Sequence, residues 1–203
     1  MPQSFFELNL ERRRRFLDEA ARALGRSPVL LEKDIYVCWA LQTLFALPAP
    51  VMVFKGGTSL SKVYRAIDRF SEDLDLTLDH RLSGDLLQDP VSASGNGRAR
   101  FGERMKRYTA QQIEHVIKPH FEPHLASVGA TRLEVVGAER EQLLLSYASP
   151  YGESYVLPQI RLEFGSKNAT EPQESHLIQT DVLAWPVAAQ LEFPSANVRV
   201  LSI

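Results

Sequence analysis

Residues 73–78, "DLDLTL", alternate a polar side chain with leucine without a break. A period of two fits only an extended strand, with Leu74, Leu76 and Leu78 toward a core and Asp73, Asp75 and Thr77 on the other face. The two aspartates then project side by side, close enough to repel unless a cation lies between them. Carboxylate oxygens are hard ligands that suit Mg²⁺ or Mn²⁺, ions that keep waters and bind substrate phosphates as well. Taken alone, the pair reads more simply as the wet face of an edge strand. The residues upstream decide against that.

The preceding stretch, "VFKGGTSLSKVYRAID", begins in an apolar run, "VMVF" at 51–54, too short for a helix and expected to be a buried strand. Gly56-Gly57 comes next as a turn, with Thr58 or Ser59 capping a short helix through about Ile67. Without Cβ atoms the turn lets an anion approach the backbone closely, and amide N–H groups point outward to meet it. Ser59 and Ser61 offer hydroxyls, and Lys55 or Lys62 a point charge. Glu72 precedes the acid pair on the apolar side, where Arg69 is its expected partner. A phosphate cradle and a carboxylate pair one short helix apart describe a nucleotide–metal site.

The rest of the chain frames that unit. Ser4 and Glu7 have capping-box spacing for a first helix ending at Gly25, with Phe16, Ala20, Ala23 and Leu24 at helical intervals. Ser27 and Pro28 open a second, striped by Leu31, Ile35, Cys38, Leu41, Leu44 and Phe45 and stopped by "LPAP". "SASGNG" at 92–97 reads as a loop, followed by a helix from about Arg98 to Ile117 that Pro119 ends. "TRLEVV", "QLLLSYA", "SYVLPQIRLEF", "HLIQTDVLAW" and "VRVLSI" read as strands. The fold class is α+β: a mixed, mainly antiparallel sheet flanked by helices, with a helical N-terminal pair over 1–48 and an α/β core over 49–203 forming a single domain.

Composition narrows the function classes. A net charge of −2 over 203 residues excludes a globally basic nucleic-acid binder, so any such contact must be local. The lone Cys38 excludes an internal disulfide or thiolate cluster and fits a helix core in a reducing cytoplasm. The N-terminus lacks the order of a signal peptide, and no apolar run is long enough to span a bilayer.

The string "KGGTSLSKVYRAIDRFSEDLDLTL" resembles the AbiEii/AbiGii nucleotidyltransferases, toxins of bacterial abortive-infection and toxin–antitoxin systems within the DNA polymerase β-like superfamily. "LEKDIYVCWAL" and "IRLEFG" extend the resemblance over roughly residues 30–200. It implies that Gly56, Gly57, Thr58, Ser59 and Lys62 hold the nucleotide, and that Asp73 and Asp75 bind the metal. Glu163, on the outward face of "RLEFG", is the implied third carboxylate, a metal ligand that also helps deprotonate the acceptor. The implied reaction transfers NMP from an NTP to an RNA end such as that of tRNA, or to a protein hydroxyl, with Mg²⁺ or Mn²⁺ and a cognate antitoxin as partner. Members of the family continue past a strand like "VRVLSI" into a helical half. Leu201 and Ile203 therefore need cover, and the expectation is a homodimer or partner contact through this strand.

Two rival readings bear on the same residues. "DLDLT" is similar to the D-x-D-x-T of haloacid-dehalogenase-like phosphatases, but that motif needs a continuous apolar strand before its first aspartate, and "DRFSE" stands there. A nucleotidyltransferase-fold module that binds nucleotide or a partner without turnover is the non-enzymatic alternative. Elsewhere, the "RRRR" of 12–15 reads as a solvated helix face. Arg98, Arg100, Arg104, Lys106 and Arg107 form a better basic cluster for an RNA strand. His115, His120 and His124 lack the spacing and the cysteines of a zinc site and read as surface residues.

Overall fold

The computed structural model describes residues 2–67, 73–79, 95–152, 156–165 and 171–202. Strand β1 (Gln3–Ser4) leads into a 3-10 turn over Phe5–Glu7, and only then does helix α1 (Leu10–Leu24) begin. The capping box at Ser4 is therefore a local one. Ser4 caps the 3-10 turn, whereas Asn9 caps α1 by accepting from the Arg12 amide at 2.9 Å. Gly25, at φ +65°, ends α1 in the left-handed conformation.

Helix α2 (Pro28–Phe45) opens with proline at its start, as expected, although the Ser27 side chain makes no capping bond. It is not a striped surface helix. Every residue from Leu31 to Leu41 is buried, Glu32, Lys33 and Asp34 included. Strand β2 (Met52–Lys55) runs directly into helix α3 (Gly56–Lys62), and β3 (Asp73–Leu78) comes after it. Thr58 and Ser59 lie inside α3 rather than capping it, and the helix stops at Lys62, short of Ile67. Glu72 and Arg69 lie outside the described residues.

Helix α4 (Gly95–Gln112) passes into a π-helical stretch, Ile113–Ile117, then α5 (Lys118–Phe121). Pro119 does not end the helical path, because it falls in the first turn of α5, where its missing N–H is no loss. A 3-10 turn over Glu122–His124 and helix α6 (Leu125–Val128) then lead to β4 (Ala130–Val136) and β5 (Gln142–Tyr147). Next come β6 (Gln159–Gly165), β7 (Gln173–Gln179), β8 (Leu191–Glu192) and β9 (Ser195–Leu201). "HLIQTDVLAW" is thus only half strand: Thr180 accepts from the Val182 amide and starts a 3-10 turn over Asp181–Ala184.

The main sheet has the order β4-β5-β6-β3-β2-β9-β7. The pairs β6–β3 and β2–β9 are parallel and the other neighbours antiparallel, so the architecture is mixed but mainly antiparallel α+β. One face of the sheet supplies the core: Phe54, Leu74, Leu76, Leu78, Ile160, Leu162, Phe164, Val198 and Val200 pack with α2 residues such as Tyr36, Trp39 and Leu44. A second cluster joins Phe5, Leu17, Ala20 and Ile35 to Val182 and Ala188. Of the "RRRR" run, Arg13 turns inward and donates to the Leu8 and Phe6 carbonyls and to the Tyr36 hydroxyl, while its three neighbours are exposed. His120 is likewise half-buried, hydrogen-bonded through Nε2 to the Thr43 carbonyl at 3.0 Å. No helix among the described residues is long and apolar enough to cross a membrane.

Candidate active site

The alternation in β3 sends its leucines into the core and leaves Asp73 and Asp75 half-exposed on the opposite face. Pairing on both sides of β3 then builds a row that the sequence could not show. Asp75 lies beside Lys55 of β2 and beside Glu163 of β6, and Glu163 lies beside Gln142 of β5. One step along, Asp73 is registered with Arg161. The three carboxylates expected at the site therefore come from adjacent strands and share one face.

Gly56 explains the glycine turn. Its φ is +73°, a conformation that L side chains rarely adopt. A Cβ on it would also fall 2.0 Å from Oδ2 of Asp75 and 2.6 Å from Cγ. The turn and the carboxylate are thus packed directly against each other, and only hydrogen fits between them. Thr58 donates from Oγ1 to the Asp73 carbonyl at 2.6 Å, tying α3 to the start of β3. Ser59 donates to the Gly56 carbonyl at 2.8 Å and is buried, so its hydroxyl serves the turn itself.

Lys62 lies elsewhere. Its ammonium forms a buried ion pair with Asp34 of α2 and lies 3.2 Å from Oδ1 of Asp181, which in turn is paired with Arg26. Asp34 also accepts from the Asp181 amide at 2.7 Å. Lys55, facing Asp75 from the neighbouring strand, is the cation at the acid row. Arg161 is the second, with Nε 4.0 Å from Oδ1 of Asp73.

The electrostatics of the row arise first from partial burial and then from crowding. Partial burial raises the Asp75 pKa and the charge on Asp73 adds to it, against the pull of Lys55. Burial also raises Glu163, with Asp73 and Asp75 adding to the effect and Arg161 opposing it. Gln142 donates Nε2–H to Oε1 of Glu163 at 3.1 Å, which holds that carboxylate in place. Gln142 and Arg161 border the row as cross-strand neighbours; alternation puts Arg161 on the outward face of β6 but does not give its pairing with Asp73. Alternation gives a face, whereas neighbours across strands depend on register.

Whether a divalent ion suits these residues is a question of donor set. Among the described residues no group of three or more His, Cys, Asp or Glu is arranged ready to hold a metal ion. Mg²⁺ does not ask for such a cage, since it binds through one or two carboxylates and completes its shell with water and phosphate. Adjacent carboxylates on one face, beside a turn too tight for a side chain, fit an ion arriving with a phosphate chain.

A search of curated proteins returned no match to this chain. The family model for the nucleotidyl transferase AbiEii toxin of a type IV toxin–antitoxin system matches residues 39–203, a span that holds every strand of the main sheet, the glycine turn and the acid row. The chain belongs to the AbiEii nucleotidyl transferase toxin family.

Proposed function

We propose that this protein is a metal-dependent nucleotidyltransferase that moves NMP from an NTP to an RNA end or a protein hydroxyl, breaking the α–β phosphoanhydride bond and releasing pyrophosphate. The observation that carries the reading is the packing of Asp75 against Gly56 with Glu163 in the adjacent register position. Asp73, Asp75 and Glu163 would hold Mg²⁺ or Mn²⁺, and the backbone of Gly56 and Gly57 would face the phosphates. Bound there, the ion supplies charge neutralisation on the triphosphate and acidifies the attacking hydroxyl. Thr58 and Ser59 keep the turn in shape, and Lys55 rather than Lys62 offers its charge to the phosphates. Glu163 has Oε1 engaged by Gln142, which leaves Oε2 to take the proton from the acceptor hydroxyl. Family membership implies an antitoxin partner.

The test is direct. The protein is incubated with each labelled NTP, Mg²⁺ and total tRNA or cell lysate, and the labelled product is identified. We expect label to appear with the wild type and to vanish with Asp75→Asn. In calorimetry the same variant should lose Mg-NTP affinity while its unfolding midpoint stays level or rises, because a mutual repulsion is relieved. Tight Mg-NTP binding without any labelled product would favour the non-catalytic binding module. Equal Mg-NTP affinity in the variant would remove Asp75 from the site.

A further inference from the structure

Helix α4 carries charge that the acid row does not use. Arg100, Arg104 and Arg107 are spaced i, i+4 and i+7, so their side chains share one helix face, with the exposed Gln111 continuing it. Phe101, Met105 and Thr109 are buried on the opposite side. Lys106, on a third side, is taken up by Glu103 at 3.2 Å and Glu139 at 2.7 Å. Among the described residues the three arginines have no carboxylate partner, and Nε of Arg104 is buried with no hydrogen-bond acceptor. Arg104 lies over the Phe101 ring, 6.0 Å from its centroid, which restrains its planar fork. Among the described residues, a chain of net charge −2 thus keeps a line of uncompensated arginines about 10 Å long by helix rise.

The helical path is pinned to the turn that leads into the strand beside the acid row. Lys106 reaches Glu139 and Glu114 pairs with Arg140, both in the turn between β4 and β5. That turn leads into Gln142, the residue that holds Glu163. We propose that the Arg100–Arg104–Arg107 face is a docking track for the phosphates of a single-stranded RNA, the acceptor whose end would lie at the acid row. Guanidinium forks match phosphate oxygens two by two, which suits arginine better than lysine. An acidic protein would need an apolar centre to its contact, and the large exposed apolar residues among those described, Leu10, Leu157, Leu177, Leu183 and Val187, all lie off this helix. The role as acceptor rests on the nucleotidyl-transfer reading, whereas the docking does not.

Fluorescence anisotropy with a short labelled single-stranded RNA, over a salt series and without nucleotide, tests the track. The combined variant Arg100→Ala, Arg104→Ala, Arg107→Ala should weaken binding at least tenfold at low salt and reduce the slope of log K against log salt by about 2, since each phosphate contact on a single strand contributes about 0.7. Circular dichroism confirms that the variant is folded, and the matching triple lysine variant should keep most of the slope. Arg12→Ala, an exposed arginine of α1, should bind the RNA like the wild type. A wild-type slope in the triple alanine variant overturns the track. Equal binding of a polyglutamate peptide of matched charge, or displacement of the RNA by free NTP, also overturns it as an RNA site. If RNA binds through the arginines and no label is ever transferred, the catalytic reading falls and the docking stands.

Discussion

Asp34 and Asp75 are both crowded carboxylates, yet the molecule treats them in opposite ways. Asp34 is buried in the middle of α2, where Lys62, the Asp181 amide and, through Asp181, Arg26 surround it. Asp75 is half-exposed on β3, with Asp73 and Glu163 as near neighbours and Lys55 and Arg161 at the margins. In the first region opposite charges are matched and hydrogen-bonded. In the second, like charges accumulate, and among the described residues the two cations at the margins are fewer than the three carboxylates. Matched burial is what a fold requires of a charge it keeps inside. Unmatched repulsion at a solvent-facing row is tolerable only at a cost in stability, and it is relieved by a cation from outside.

The strongest way to break this contrast is Lys62→Met. Removing one partner of a buried pair leaves Asp34 uncompensated, and we expect a loss of about 3–5 kcal/mol in urea unfolding. Asp75→Asn should cost nothing. If both variants lost equal stability, the acid row would be as structural as the buried cluster.

Glu32 sharpens the comparison through pH. It is fully buried, with Ser149 donating to Oε2 at 2.6 Å and Oε1 lacking a partner among the described residues. Burial raises its pKa from 4.5 to about 7, against the pull of the Ser149 hydroxyl and of Arg13. The folded state therefore holds a proton that the unfolded state releases, and stability falls as pH rises from about 4.5 to 7. At about 1.4 kcal/mol per unit this amounts to about 3 kcal/mol. Urea melts of the wild type and Glu32→Gln at either end of that range should show the difference, with the variant insensitive to this component. An unchanged pH dependence in Glu32→Gln would show that Glu32 is charged inside the fold.

Ser59→Ala gives the smallest effect. Its hydroxyl bonds the Gly56 carbonyl, so we expect a loss of about 1 kcal/mol in stability and equal weakening of NTP and NMP binding. A loss confined to the triphosphate would place the hydroxyl on a phosphate instead.

The acid face was legible because β3 alternates without exception and the glycine turn stands one short helix away. The strand–turn–helix–strand order could also be read, as could α2 from Ser27-Pro28 onward. What escaped was everything that depends on long-range register or on burial against pattern. Gln142 sits at the head of an ordinary alternating strand, and only pairing with β6 brings it to Glu163. Glu32, Lys33 and Asp34 fall outside the apolar stripe read for this helix, yet α2 is enclosed around their whole circumference. Lys62 has the composition of a phosphate ligand, but α3 turns it toward α2. Ser4 shows the same limit at short range, since a capping box fixes one turn and leaves the length of the helix open.

The place of β9 in the sheet has a consequence for synthesis. It lies between β2 and β7, pairing Phe54 with Val200 in parallel, although it is the last of these strands in chain order. A polypeptide leaving the ribosome therefore holds its acid row on strands already made while the β2 edge beside them stays open. Closing that edge joins the two ends of a long sequence interval, a slow step in folding. Until it closes, the edge is a template for any strand that arrives first, and the chain is most open to capture before β9 takes the position.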